Sequence, residues 1–149
     1  MFSGFSALAA DGAGNIYVTG YSSSPFASFG NRILRKVTPT GLVTTLAGNP
    51  VSAGFVDGLG TNALFWNPDG VALDKAGNLF ITDESNRAIR KIAPGGQVTT
   101  FANLTNQLTN RAPYFPGSQS SLTLDGAGNV YMADPQYHLI QKIRCWNPR

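Results

Sequence analysis

This sequence of 149 residues has little of several residue types that mark particular classes of protein. It contains a single cysteine, Cys145, which excludes a disulfide within the chain. It contains a single histidine, His138, and no Ser/His/Asp or Cys/His arrangement typical of nucleophilic catalysis. Charged residues make up only 13% of the chain, and no apolar run approaches the length of a membrane span. The sequence therefore indicates neither a disulfide scaffold nor a transmembrane helix nor a catalytic triad.

A turn motif, Asp-x-Ala-Gly-Asn followed by apolar or aromatic residues, occurs in three copies that begin at Asp11, Asp74 and Asp125. Short β-branched and aromatic runs separated by Gly, Pro, Asn and Asp surround the copies, as expected of about four strands per repeat. A repeat of this length that holds several short strands is typical of a propeller blade. The sequence thus predicts an all-β fold. We expect a partial β-propeller of about three four-stranded antiparallel blades, the last of which lacks its outer strand.

The turn motif has a structural explanation in its own residue types. An Asp at the first position can accept hydrogen bonds from backbone N–H groups a few residues further on, and the Gly supplies the left-handed conformation of a tight hairpin. We interpret the motif as hairpin scaffolding rather than as a ring of metal ligands, because no further oxygen ligands repeat with it. No metal or other cofactor is predicted. The motif residues are Asp11, Gly14, Asn15, Asp74, Gly77, Asn78, Asp125, Gly128 and Asn129.

The middle repeat resembles the NHL repeat, which is the blade unit of NHL β-propellers. The stretch from Phe65 to Ile92 contains Phe-x-x-Pro-x-Gly-Val-Ala, Asp-x-x-Gly-Asn, Asp-x-x-Asn and Ile-Arg-Lys-Ile in the order found in that family. The first repeat departs from the pattern at Phe5, which replaces the proline, and at Gly20, which replaces the second Asp. The third departs at Tyr137, where Asn is usual. The first repeat is also similar to the related bacterial β-propeller repeats.

The repeats predict one propeller segment, 1–149, with blades at about 5–48, 66–102 and 118–144. The resemblance implies a ring that closes with about six blades. An open arc of three blades would expose apolar faces at both of its ends. We expect the remaining blades of a longer chain to cover these faces, or self-association to close the ring, and we favour the first arrangement.

The loops that lead into the first strand of a blade share one side of the propeller with the loops between its second and third strands. We call this side the loop face; it comprises 20–30, 48–67, 83–86, 103–119 and 134–137. Binding residues concentrate on loops that a rigid scaffold holds in place, so we expect ligand contacts here. Glu84 and Arg87 are expected to reach solvent. The candidate binding residues are Tyr21, Trp66, Asp83, Glu84, Arg87, Asp134 and Tyr137.

Three classes of function are compatible with this architecture. A non-catalytic binding or scaffold role, with a protein, peptide or glycan on the loop face, is favoured because it requires only varied loops and aromatic residues. The alternative is a fragment of an enzyme, since the resemblance includes lyases and lactone hydrolases, whose catalytic groups would lie in missing blades. RNA binding is the third class, since some animal NHL propellers bind single-stranded RNA. A net charge of +3 allows it, but the arginines repeat at one strand position instead of forming a basic surface, which argues against a nucleic-acid partner.

The compartment is indicated only by composition. Four lysines and many Ser, Thr, Asn and Gly residues favour an exported bacterial protein, although no basic segment with a hydrophobic signal core precedes the first repeat.

Overall fold

The structure is a computed structural model that describes residues 2–22, 32–105, 121–134 and 138–144. Strands within these ranges form three antiparallel sheets that follow one another along the chain. The first sheet has the order β1-β2-β3-β4 and contains β1 (Phe2–Ala10), β2 (Ile16–Ser22), β3 (Ile33–Val37) and β4 (Val43–Gly48). Among the described residues, no helix is long and apolar enough to cross a membrane.

The middle sheet has five strands, one more than the sequence predicts. They are β5 (Gly58–Leu59), β6 (Pro68–Leu73), β7 (Leu79–Asp83), β8 (Ala88–Ile92) and β9 (Gln97–Asn103), in the order β5-β9-β8-β7-β6. The additional strand β5 comes from the segment that connects the first sheet to the middle sheet. It pairs with β9 at the outer edge, where it satisfies backbone groups that an edge strand would otherwise leave open.

The third sheet has the order β10-β11-β12 and contains β10 (Ser121–Leu124), β11 (Val130–Asp134) and β12 (Leu139–Ile143). Within the described part of the chain it has no fourth strand, as expected for the last blade. The first strands of the three sheets, β1, β6 and β10, lie next to one another, so the sheets are arranged side by side around their inner strands.

The Asp-x-Ala-Gly-Asn motif connects the first and second strands of every sheet. Asp11 Oδ1 accepts hydrogen bonds from the backbone N–H groups two and four residues further on, both at 2.9 Å, and its Oδ2 accepts one from Asn15 Nδ2 at 2.8 Å. Asp74 and Asp125 accept the same three bonds. The Asn129 side chain contributes most to lowering the pKa of Asp125 to about 2. These carboxylates are thus acceptors that close their own turns.

The sheets pack face to face through two apolar clusters, because their strands have apolar side chains on both sides. In β7, Leu79 and Ile81 point toward the first sheet, while Phe80 points toward the third. The hydroxyl of Thr19 also donates to the carbonyl of Asp69 at 2.5 Å, between the first and middle sheets. The first cluster contains Leu34, Ala47, Ala63, Phe65, Val71, Leu79, Ile81, Ile92 and Val98. The second contains Ala72, Phe80, Ile89, Ala102, Leu104, Leu122, Val130, Met132 and Ile143.

Candidate binding site on the loop face

The loop face is described most fully beside the middle sheet, where residues 54–67 form what we call the strap. The strap folds back on itself: Val56 and Leu64 exchange backbone hydrogen bonds of 3.3 and 3.0 Å, and the Gly54 N–H donates to the Phe65 carbonyl at 3.2 Å. It includes β5, and it ends where β6 begins. The strap therefore leads from the outer edge of the middle sheet to its inner strand.

The guanidinium of Arg90, in β8, binds both arms of the strap, which are the segments that contain Val56 and Leu64. Its Nη1 donates to the Leu64 carbonyl at 3.0 Å, and its Nη2 donates to the Val56 carbonyl at 2.9 Å. The rings of Phe55 and Phe65 have their centroids 4.9 and 5.1 Å from the guanidinium carbon, at distances typical of cation–π contacts. Arg90 is completely buried. An arginine at the strand position where arginines repeat is thus an interior anchor of the loop face.

Two carboxylates neutralise Arg90. Its Nη2 lies 2.7 Å from Asp57 Oδ1 in the strap, and its Nη1 lies 2.9 Å from Asp83 Oδ2 at the end of β7. Asp57 also accepts bonds from the backbone N–H and the hydroxyl of Thr100, both at 3.0 Å. The ion pairs and hydrogen bonds connect the strap to three strands of the middle sheet, β7, β8 and β9, which restricts its movement.

Asp83 lies in the interior and binds the strap, so that its carboxylate does not face solvent. Its Oδ1 accepts the backbone N–H of Trp66 at 2.8 Å, and its Oδ2 accepts the side-chain amide of Asn86 at 2.8 Å in addition to Arg90. The same amide donates to the Gly54 carbonyl at 2.8 Å. Burial raises the pKa of Asp83 to about 6, although these donors and the charge of Arg90 oppose the shift.

The expectation that Glu84 reaches solvent is wrong. Glu84 is only 4% exposed, because the strap covers it. Its Oε2 accepts the side-chain amide of Asn67 at 2.7 Å, and its backbone N–H donates to the Asn67 carbonyl at 3.2 Å. Glu84 thus belongs to the contact between the strap and the turn that follows β7.

Trp66 and Arg87 are the predicted binding residues that the structure places at the surface of the loop face. The Trp66 side chain is 52% exposed, while its backbone is held by Asp83 and by the N–H of Ser85, which donates to its carbonyl at 3.1 Å. Arg87 is exposed and has a left-handed backbone with φ of 51°. Its carbonyl accepts the N–H of Leu104 at 2.8 Å. Both side chains therefore project from backbone that hydrogen bonds hold in place.

The structure gives less information on the other three predicted binding residues. Tyr21 and Asp134 lie near the ends of β2 and β11 on the loop face, where the backbone alone is described. Tyr137 lies outside the described residues. His138, which is not among the candidate binding residues, has φ of 53° and precedes β12 as Arg87 precedes β8.

Sequence reasoning missed the anchoring role of Arg90, although one signal was available. Strand register aligns Arg90 with Arg35 in the first sheet and with Gln141 in the third. At the position of Asp83, the first sheet has Gly20 and the third has Asp134. Only the middle repeat combines an acid with an arginine at these two positions, and this combination indicates an ion pair across neighbouring strands.

A cavity of about 460 Å³ lies on the opposite side of the molecule from the loop face, between the first turns of the middle and third sheets. The carboxylates of Asp74 and Asp125 at this cavity are acceptors in their own turns. No group of three or more His, Cys, Asp or Glu side chains that could hold a metal ion occurs among the described residues. The cavity is lined by Leu73, Asp74, Lys75, Ala76, Leu124, Asp125, Gly126, Ala127 and Gly128.

Comparisons with known proteins agree with the stacked sheets. A family model described as "Beta-propeller repeat" matches residues 6–27. An auxiliary nutrient binding protein from Bacteroides thetaiotaomicron is similar in structure over 91% of this chain, with a TM-score of 0.66 and 16% sequence identity. The chain forms part of a β-propeller. The middle sheet, with its four strands from β6 outward, is a blade to which the strap adds a fifth strand.

Two further solved structures share this propeller architecture. A protein of unknown function from Bacteroides thetaiotaomicron is 25% identical and similar over 87% of this chain, with a TM-score of 0.64. A streptogramin B lyase is 16% identical and similar over 98% of it, with a TM-score of 0.57. The chain spans 36% of the nutrient binding protein, 32% of the protein of unknown function and 42% of the lyase. No curated protein sequence matches the chain.

Proposed function

We propose that this chain is a non-catalytic binding segment of an NHL-type β-propeller whose loop face contacts a protein, peptide or glycan. The observation that carries the proposal is the exposed side chain of Trp66, which stands on a strap anchored by buried charges. Arg87 adds an exposed cation two residues after Ser85, whose N–H donates to the Trp66 carbonyl.

The arrangement suits binding because little conformational entropy is lost when a ligand immobilises it. A ligand that stacks on Trp66 immobilises a side chain with two rotatable bonds, and the backbone beneath it is already held by Asp83 and Ser85. Tryptophan and arginine are also the residue types that contribute most often to binding hot spots. Peptides and glycans both offer C–H surfaces to an indole ring and acceptor oxygens to a guanidinium.

The NHL-type assignment is supported by the role of the Asp-x-x-Asn motif in the middle blade. Asp83 and Asn86 hold the strap from opposite ends, since Asp83 binds Trp66 and Asn86 binds Gly54. In this chain the motif therefore acts through the strap, and it orients the loop face without meeting the ligand itself.

The proposal is tested by screening the purified chain against a glycan array and a peptide array. Trp66→Ala and Arg87→Asn are compared with the unaltered chain, and asparagine is chosen at position 87 because it tolerates the left-handed backbone. We expect array ligands whose binding falls at least tenfold in Trp66→Ala and severalfold in Arg87→Asn.

The matched control is Leu42→Ala, which removes a 60% exposed apolar side chain in the turn after β3, on the opposite side from the loop face. Retained binding in this variant shows that the loss is specific to the loop face. Absence of binding on both arrays, or binding that Trp66→Ala leaves unchanged, would overturn the proposed function.

A further inference from the structure

A basic residue precedes the third strand of every sheet in this segment. The three residues occupy one structural position, because the pairing between the second and third strands begins in each sheet at the residue that follows. They are Arg32, Arg87 and His138. The loops between second and third strands end at this position, so the basic residues repeat along the loop face.

This position differs from the arginine position three residues further along the same strands. Arg90, at the latter position, is completely buried and binds the strap. Arg87 and His138 are exposed, and Arg32 is partly exposed. The third strands thus contribute basic residues of two kinds, and those at the strand starts lie at the surface of the loop face.

Negative charge on the loop face is sparse and largely engaged within the protein. Its loop segments contain four acidic residues. Asp57 and Asp83 are paired with Arg90, and Glu84 is only 4% exposed. The fourth is Asp134, of which the backbone alone is described. The described part of the loop face therefore has little negative charge to oppose its basic residues.

The opposite side of the molecule has exposed carboxylates instead. The turns between first and second strands lie there, and each contains one aspartate that is partly or fully exposed, namely Asp11, Asp74 and Asp125. Basic and acidic side chains are thus divided between the two sides of the segment. A charge distribution of this kind attracts an anionic ligand to the loop face and orients it there.

Trp66 lies beside two of the basic residues. The turn that precedes Arg87 donates a backbone hydrogen bond of 3.1 Å to the Trp66 carbonyl. In the first sheet, a Cβ at Gly48 would touch both the Arg32 carbonyl and the ring of Phe65, the residue before Trp66. Arg32 and Arg87 therefore adjoin the end of the strap that carries the exposed indole, each from a different sheet.

We propose that the loop face binds an acidic polysaccharide, whose uronate carboxylates contact Arg32, Arg87 and His138 while a sugar ring stacks on Trp66. This inference rests on the proposed binding function and names the class of its ligand. A guanidinium presents a planar fork of N–H donors that matches a carboxylate. A basic residue that repeats from sheet to sheet suits a polymer whose negative charge repeats from sugar to sugar.

A polysaccharide fits this surface better than an acidic peptide. An extended peptide commonly binds by adding a strand to an open sheet edge. The loop face presents the ends of strands, so it offers no such edge to a peptide backbone. A sugar ring needs only the flat indole and the donors around it.

The proposal is tested by isothermal titration of the full chain with two acidic oligosaccharides, oligogalacturonate and oligomannuronate, and with the methyl ester of each. The ester keeps the sugar ring and removes the negative charge. We expect at least one acid to bind, and its ester to bind at least tenfold more weakly. Single-stranded RNA and polyglutamate, titrated at the same salt concentration, are expected to bind more weakly than the acid.

The double variant Arg32→Gln/Arg87→Asn tests the residues. We expect its affinity for the acid to fall at least tenfold and its affinity for the ester to stay the same, whereas a merely structural role would weaken both ligands alike. Lys75→Gln is the matched control, because it removes an exposed cation from the turn between β6 and β7, on the opposite side. Affinity for the acid should be unchanged in this variant.

Four results would overturn the proposal: no binding of either acid, equal affinity for acid and ester, a double variant that binds the acid as tightly as the unaltered chain, or RNA or polyglutamate bound as tightly as the acid. Trp66→Ala separates this failure from failure of the proposed function. If acid and ester bind equally and both are lost in Trp66→Ala, the ligand class is wrong and the binding function stands. Binding that Trp66→Ala leaves unchanged contradicts the binding function itself.

Discussion

At the scale of single residues, the turn glycines are required by backbone conformation. Gly77 has φ of 83°, which is in the left-handed region where a β-branched residue is strained. An added Cβ would also lie 3.3 Å from Pro94 Cγ. The turn joins β6 to β7, and both strands contribute to the two apolar clusters of the interior.

We expect Gly77→Val to lower the free energy of unfolding by about 1–3 kcal/mol, because the strained conformation must be kept for the two strands to pair. Urea unfolding monitored by circular dichroism measures the change. Gly95→Val, in the turn between β8 and β9, is the control, since its added Cβ would meet nothing within 4 Å and its φ is not left-handed. Equal free energies of unfolding for the two variants would contradict the requirement for a left-handed glycine at position 77.

Asp83 gives the protein a distinct dependence of stability on pH. Its pKa is about 6 in the folded protein and close to 3.8 in the unfolded chain. Between pH 4 and pH 6 the folded protein therefore holds a proton that the unfolded chain has released. The free energy of unfolding is expected to fall as the pH rises through this window, by on the order of 2 kcal/mol. The turn carboxylates Asp11, Asp74 and Asp125 have lowered pKa values, so their opposite contribution changes below pH 4.

The measurement is urea unfolding at a series of pH values for the unaltered chain and for Asp83→Asn. The difference between the two curves isolates Asp83, because the other titrating groups are common to both proteins. We expect the free energy of unfolding to decline from pH 4 to pH 6 in the unaltered chain only. A decline of the same size in Asp83→Asn would show that another group is responsible.

At the scale of elements, the strap determines what the loop face presents. Residues 54–67 cover Asp83 and Glu84 and expose Trp66. Their attachment depends on Arg90, which binds two strap carbonyls and two carboxylates. The strap also contributes β5, so the same segment completes the outer edge of the blade and forms part of its loop face.

We expect Arg90→Met to lower the free energy of unfolding by about 3–5 kcal/mol, since it leaves the buried Asp83 without its cation. Limited proteolysis should show new cleavage within 54–67, because both arms of the strap lose their donor. Lys91→Met is the matched control: Lys91 is the next residue of β8, is only partly buried, and has its ammonium 5.9 Å from the ring of Phe80, which packs against the third sheet. If Arg90→Met and Lys91→Met have the same free energy of unfolding and the same cleavage pattern, Arg90 does not anchor the strap.

At the scale of the whole molecule, position along the arc decides which apolar residues are buried. Leu34, Ile89 and Ile140 occupy one structural position in three sheets, yet only Ile140 is exposed. Nearest-neighbour packing of this kind is a property of repeat proteins, in which each unit is stabilised by the units beside it.

The sequence by itself determined the features that depend on neighbouring residues. Asp-x-Ala-Gly-Asn closes its hairpin through bonds over two and four residues, and this is why its spacing predicted the turns, the strands between them and the stacked blades. Of the candidate binding residues, Trp66 and Arg87 are exposed on the loop face, and their contact with a ligand stays a prediction.

Only the tertiary structure decided the burial of Asp83, Glu84 and Arg90 and the existence of a fifth strand in the middle blade. The bonds from Arg90 reach residues 26, 33 and 34 positions earlier in the chain, in the connecting strap. Such contacts leave no periodic pattern in the sequence, because they join a repeated strand to the segment that connects two sheets. A charged side chain on a repeated strand becomes an interior anchor only when a long connection folds back over it.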